Sequence, residues 1–119
     1  KADYTNTFRN LTLENLTEGE IFKSNDFKNW YKIWQERLIR QNKPITESIN
    51  LMKMNNPTII PRNYKVEEAL HAAVTNNDYS IMKELLDVIK NPYDYSNINE
   101  EYSKPPKPTS CAYKTYCGT

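Results

Sequence analysis

Apolar residues recur along this chain at helical spacing nearly from end to end, and the pattern predicts about five helices and no sheet. Tyr4, Phe8 and Leu11 form a first stripe at i, i+4 and i+7, behind Asp3 as a candidate N-cap. Residues 12–23 keep no period and read as a connection with room for a short helical turn. The strongest element is SNDFKNWYKIWQERLIRQN. Ser24 can cap it, Asp26 places a negative charge in its first turn, and Arg37 and Arg40 suit its last. Its stripe of Phe27, Trp30, Tyr31, Trp34 and Leu38 is expected in the core, rather than as a ligand-stacking platform.

A third helix, ITESINLMKMN, follows Pro44 with Ile45, Ile49 and Met52 on one face, and Asn55-Asn56-Pro57 ends it. PTIIP is extended by its prolines. A fourth helix over about 62–75 is expected to turn Val66, Ala69, Leu70, Ala73 and Val74 inward. After an Asn76-Asn77 turn, a fifth helix capped by Asp78 or Ser80 is expected to bury Met82, Leu85, Leu86 and Ile89, before Asn91-Pro92 stops it. The short turn predicts an antiparallel hairpin, in which small Ala72 and Ala73 allow close approach. The reading is thus an all-α domain over residues 1–91. Beyond it, residues 92–119 hold prolines 92, 105, 106 and 108 with five tyrosines. Such a Pro-rich stretch favours extended geometry, and its aromatic content suits a strap laid over a surface better than a disordered tail.

Composition narrows the function classes. Apolar residues make up 38% of the 119, so the core is modest, and some apolar surface is expected to face a partner. Sixteen basic and fifteen acidic residues nearly cancel, without the basic stripe of a nucleic-acid binder. No apolar run approaches the ~20 residues that span a bilayer, so no membrane partner is expected. Two glycines exclude a Gly-rich phosphate loop. Two cysteines and one histidine match neither a disulfide framework nor a zinc site. The opening Lys1-Ala2-Asp3, without methionine, reads as a cut from a longer protein.

Candidate chemistry is sparse. LHAA followed by a turn and KELL resembles one ankyrin repeat, but a single repeat cannot bury its own faces, and no second copy appears. His71 falls on the exposed side of the fourth helix, near Glu67 and Glu68, and reads as solvated. Glu100-Glu101 reads as a solvated pair. Arg62 and Asn63 stand where extended backbone enters a helix. Either they satisfy the free backbone groups there, or Arg62 contacts another domain. Cys111 and Cys117 have five residues between them, which neither implies nor forbids a disulfide. Cys117, near the end, is a candidate redox thiol.

Five stretches, in order, resemble the C-terminal part of the selenoprotein O (YdiU/SelO) family. They are ADYTNTFRNL, WYKIWQERL, NPTIIPRNYKVEEALHAAVTNNDYSIMKELLDVIKNPYD, EEYSKPP and the closing YCGT. The resemblance implies a kinase-like protein that transfers AMP from ATP to Ser, Thr or Tyr of other proteins, using a divalent metal. No residue here matches the family's nucleotide or metal ligands, so ATP and Mg or Mn are implied for the parent and not for this chain. The implied partners are an N-terminal kinase-like region of the same protein and the parent's protein substrates, in the cytoplasm of a bacterium. Cys117-Gly118-Thr119 occupies the place of the family's terminal selenocysteine or cysteine, which implies a redox role for Cys117. The competing reading is a stand-alone helical module that offers its hairpin to a protein partner and has no enzymatic activity.

Overall fold

The computed structural model describes residues 2–17 and 19–107, and among them it is all-helical, with no strand. The helices are α1 (Tyr4–Thr12), α2 (Glu20–Lys23), α3 (Asn25–Arg40), α4 (Ile45–Asn55), α5 (Asn63–Asn76), α6 (Ser80–Ile89) and α7 (Glu100–Ser103). The five longer ones are the five that periodicity predicts. The short α2 lies in the expected connection, and α7 interrupts the Pro/Tyr-rich stretch.

Two predicted caps form. The Asp3 carboxylate accepts from the Asn6 N–H at 2.9 Å, and the Ser24 hydroxyl accepts from the Phe27 N–H at 3.1 Å. Each satisfies a backbone donor that has no partner within its helix. The cap expected on α6 does not form: Tyr79 holds that position, with no side-chain bond. Asp78 instead accepts from the Ser80 N–H at 2.9 Å, a tight local turn that draws its carboxyl below the usual range. Asn77 ends α5 in the left-handed region at φ 52°, a conformation asparagine tolerates.

Among the described residues the chain forms two compact units, one from residues up to Thr58 with Tyr93–Ile98, the other from Ile59–Pro92 with residues 99–107. The first unit buries Leu11, Phe22 and Phe27, with Phe8, Leu16, Ile21, Tyr31, Trp34 and Met52 packed around them. Phe22 meets Phe27 edge to face at 4.9 Å, a favoured aromatic geometry. Gly19 opens α2 at φ 122°, and a Cβ there would stand 3.3 Å from the Phe22 ring, so glycine permits both the turn and the packing. A polar chain ties the later stretch to this unit. The Tyr95 hydroxyl donates to the Asn56 carbonyl at 2.8 Å, and the Asn56 amide donates to Thr12 Oγ1 at 2.9 Å.

The second unit buries Ile59, Ala69, Leu85 and Tyr102, with Val66, Ile81, Met82, Val88 and Ile89 against them. Helices α5 and α6 pack on each other.

Four burial expectations need correction. Trp30 is 43% exposed, because a residue three positions from Phe27 lies well off the line through Phe27, Tyr31, Trp34 and Leu38. Leu70 and Val74 are 50% and 85% exposed, whereas Ala69 and Ala72 are buried. Of the large apolar residues of α5, Val66 packs against the core, whereas Leu70 and Val74 face away from it. On α6, Leu86 likewise faces out while Ile81 and Val88 pack inward.

Phe27→Ala and Leu85→Ala are each expected to cost about 3 kcal/mol by leaving a cavity. Val74→Ala is expected to stay within about 0.5 kcal/mol. Urea unfolding of the three variants checks the ranking.

Candidate functional site

A cluster of specific polar contacts lies in the second unit, where the first turn of α5 meets α7. Arg62 is extended, and α5 begins at Asn63. Arg62 occupies the N-cap position but makes no capping bond with its side chain. Its guanidinium instead donates to the Ser103 carbonyl at 2.9 Å, across 41 residues of sequence. Two residues on, the Tyr64 hydroxyl donates to the Lys104 carbonyl at 3.0 Å. Carbonyls at the end of a helix have no partner inside it, and here two side chains of another helix supply the donors. Asn63 lies exposed at the first position of α5.

Between these bonds sits Tyr102, only 6% exposed and part of the unit's core. Burial and a hydrogen bond to the Glu84 carboxylate both push its phenol upward in pKa. Lys65 Nζ stands 5.2 Å from the Tyr102 ring centre and 5.7 Å from that of Tyr64, within cation–π range. The ammonium lies 3.4 Å from Glu68 and 3.6 Å from Glu101. Burial opposes charge on Lys65, but the hydrogen bond to Glu68 and the charges of Glu68 and Glu101 outweigh it, so the pKa rises. Glu101 is held below the usual carboxylate range by the hydrogen bond and charge of Lys104, with Lys65 adding to it. The arrangement is a clasp: an aromatic anchor, two held carbonyls and a charge bridge close the chain from Asn99 onto the helix pair.

The other sequence candidates stand apart from it. His71 is exposed on α5, with Thr75 Oγ1 3.5 Å from its Nε2. Glu100 and Glu101 are both exposed, but Glu101 is bridged to Lys65 and Lys104 rather than simply solvated. Cys111 and Cys117 lie outside the described residues. Among the described residues no three His, Cys, Asp or Glu side chains converge, so those residues do not fit a divalent metal. Sequence reasoning singled out Arg62, and Tyr102 only as one of the tail tyrosines suited to a strap, but missed Tyr64, Lys65 and Glu84. The available signal was the crowding of Arg62, Tyr64 and Lys65 into one helical turn, which leaves more long polar side chains than a solvated turn needs.

A family model described as protein adenylyltransferase SelO matches residues 1–90. Among curated proteins, the chain is 67% identical over all 119 residues to a protein nucleotidyltransferase YdiU from Clostridium botulinum (strain Eklund 17B / Type B). It is 57% identical over the same length to a protein of that name from Bacillus cereus. It spans 24% of the length of each. No solved structure matches it.

The raised phenol and ammonium set the alkaline limit of the clasp. Each contributes stability in full below its unfolded pKa, about 10 for both, and that stability is lost as pH rises through the higher folded value. Unfolding midpoints in urea should therefore fall above pH ~10, and fall less steeply in Tyr102→Phe. Arg62→Ala is expected to cost about 2 kcal/mol by removing a charge-assisted bond to a buried carbonyl. It should also speed amide hydrogen exchange across 99–104.

Proposed function

The chain belongs to the SelO family, and we propose that it is the C-terminal helical domain of a protein adenylyltransferase that transfers AMP from ATP to Ser, Thr or Tyr of other proteins. One observation carries this reading: all 119 residues align at 67% identity with a nucleotidyltransferase of which they make up 24%. Catalysis, ATP and Mg or Mn belong on this reading to a kinase-like region elsewhere in the parent. The domain's own part is to buttress that region and to carry Cys117 as a redox-active thiol beyond the clasp. Arg62 serves the same end indirectly, by fixing the segment from which the cysteine-bearing stretch departs. The bacterial relatives support a bacterial cell, and we place the protein in its cytoplasm. No described helix is long and apolar enough to cross a membrane.

A second reading, a helical interaction module without enzymatic activity, draws on the exposed Leu70, Val74 and Leu86 of the α5–α6 pair. Transfer of labelled AMP from ATP, with Mg or Mn, onto a protein substrate separates the two. The parent that includes the upstream region should transfer label, and residues 1–119 alone should not. A parent without transfer activity would favour the module. For the thiol, mass spectrometry of the intact parent after mild oxidation should find Cys117 as a disulfide or sulfenic acid. Recovery of only the unmodified thiol would remove the redox role.

A further inference from the structure

The first unit holds an apolar hollow of about 400 Å³ beside its core, with Ala2, Tyr4, Phe8, Ile21, Phe27 and Trp30 in its wall. Its inner side is built from buried Phe27 and half-buried Phe8 and Ile21. Its outer side is open: Tyr4 is 77% exposed and Trp30 43%. Both outer rings are nonetheless held in place. Tyr4 leans on Phe8 at 4.7 Å between ring centres, and Trp30 on Phe27 at 5.6 Å and on Trp34 at 6.1 Å. Aromatic side chains already ordered by their neighbours lose little freedom when something docks on them, and Trp and Tyr are the residue types that dominate binding energy at interfaces.

We propose that this hollow receives the segment that immediately precedes Lys1 in the parent protein, docked through one or more large apolar side chains. The inference rests on the reading of this chain as part of a longer SelO-family protein. Position argues for that occupant over others. Ala2 is itself part of the wall, so an upstream segment emerges at the edge of the hollow. Relatives about four times the length of the chain leave ample polypeptide to fill it. A segment tethered so close acts at an effective concentration of about millimolar, which a second copy free in solution at micromolar levels does not match. Asp26, Ser24 and Thr7 also line the hollow and offer oxygen acceptors to backbone N–H groups of the incoming segment.

The test is carbene footprinting read by mass spectrometry at Tyr4 and Trp30, in the full-length parent and in residues 1–119, each normalised to its labelling in urea. With a tethered affinity of about 0.1 mM, labelling should fall about tenfold in the parent. It should recover when the ten or so residues before Lys1 are replaced by a Gly/Ser linker of equal length. Equal labelling of parent and isolated chain overturns the proposal. So does protection that survives the linker replacement, which would assign the hollow to another part of the parent. Protection that grows with concentration in residues 1–119 alone would assign it to a second copy, and overturns it as well. AMP transfer by the same preparation of parent tests the underlying reading separately. An active parent with an unprotected hollow sinks only the docking, and an inactive one with a protected hollow sinks only the activity.

Discussion

Burial of Tyr102 is the constraint on which the second unit depends. The helix pair contributes only Ala69 and Leu85 as buried residues to this core, with Val66, Ile81, Met82, Val88 and Ile89 partly buried against them. A tyrosine ring removes about 150–200 Å² from water, worth about 4 kcal/mol at ~25 cal/mol per Å². The Glu84 carboxylate of α6 acts with burial to raise the Tyr102 phenol. The ring packs into one core with Leu85 of α6, while Arg62, at the N-cap of α5, and Tyr64 hold the carbonyls of Ser103 and Lys104. Without a segment some forty residues away in sequence, the helix pair would expose much of its inner face.

The first unit solves the same problem differently. Its core is aromatic rather than aliphatic, with Phe22, Phe27, Tyr31 and Trp34 in mutual contact around Leu11. The later stretch enters it through a polar chain from Tyr95 to Asn56 to Thr12. Burial raises the Tyr95 phenol, opposed by the hydrogen bond with Thr12 and the charge of Arg9. Thr12 is almost wholly buried, so these bonds satisfy groups that water cannot reach. Tyrosines 95 and 102 thus do similar work at seven residues' separation, each fastening a stretch of chain to a different core.

Which parts of this were legible in the sequence follows from the range of each interaction. Helix positions rest on spacing and on local caps, and the five long helices, the Asp3 and Ser24 caps and the Asn-Pro stops were all readable. The choice of face was only partly so. A stripe count favours the largest apolar side chains and points Leu70 and Val74 inward, whereas the buried face of α5 runs through Val66, Ala69 and Ala72. Trp30 was misassigned for a related reason: it borders a stripe whose centre runs through Phe27, Tyr31 and Trp34. The clasp was not legible at all beyond Arg62. Its contacts span about forty residues, and no local period encodes them. The tail's tyrosines hinted that something there is buried, without saying where.

The clasp also constrains what the chain can do after it. Lys104 precedes Pro105, which disfavours the helical region for Lys104 and so stops α7 after a single turn. Lys104 is extended at φ −60° and ψ 138°, and its carbonyl is the one that Tyr64 holds. The direction of the backbone at Lys104 is therefore fixed by a proline and a hydrogen bond together. Cys117 stands thirteen positions further on, within at most about 45 Å of that point for a fully extended chain. So long a reach leaves the surroundings of the thiol open. In the proposed parent, the clasp therefore anchors the root of the stretch that carries Cys117 and does not by itself choose the group that the sulfur meets.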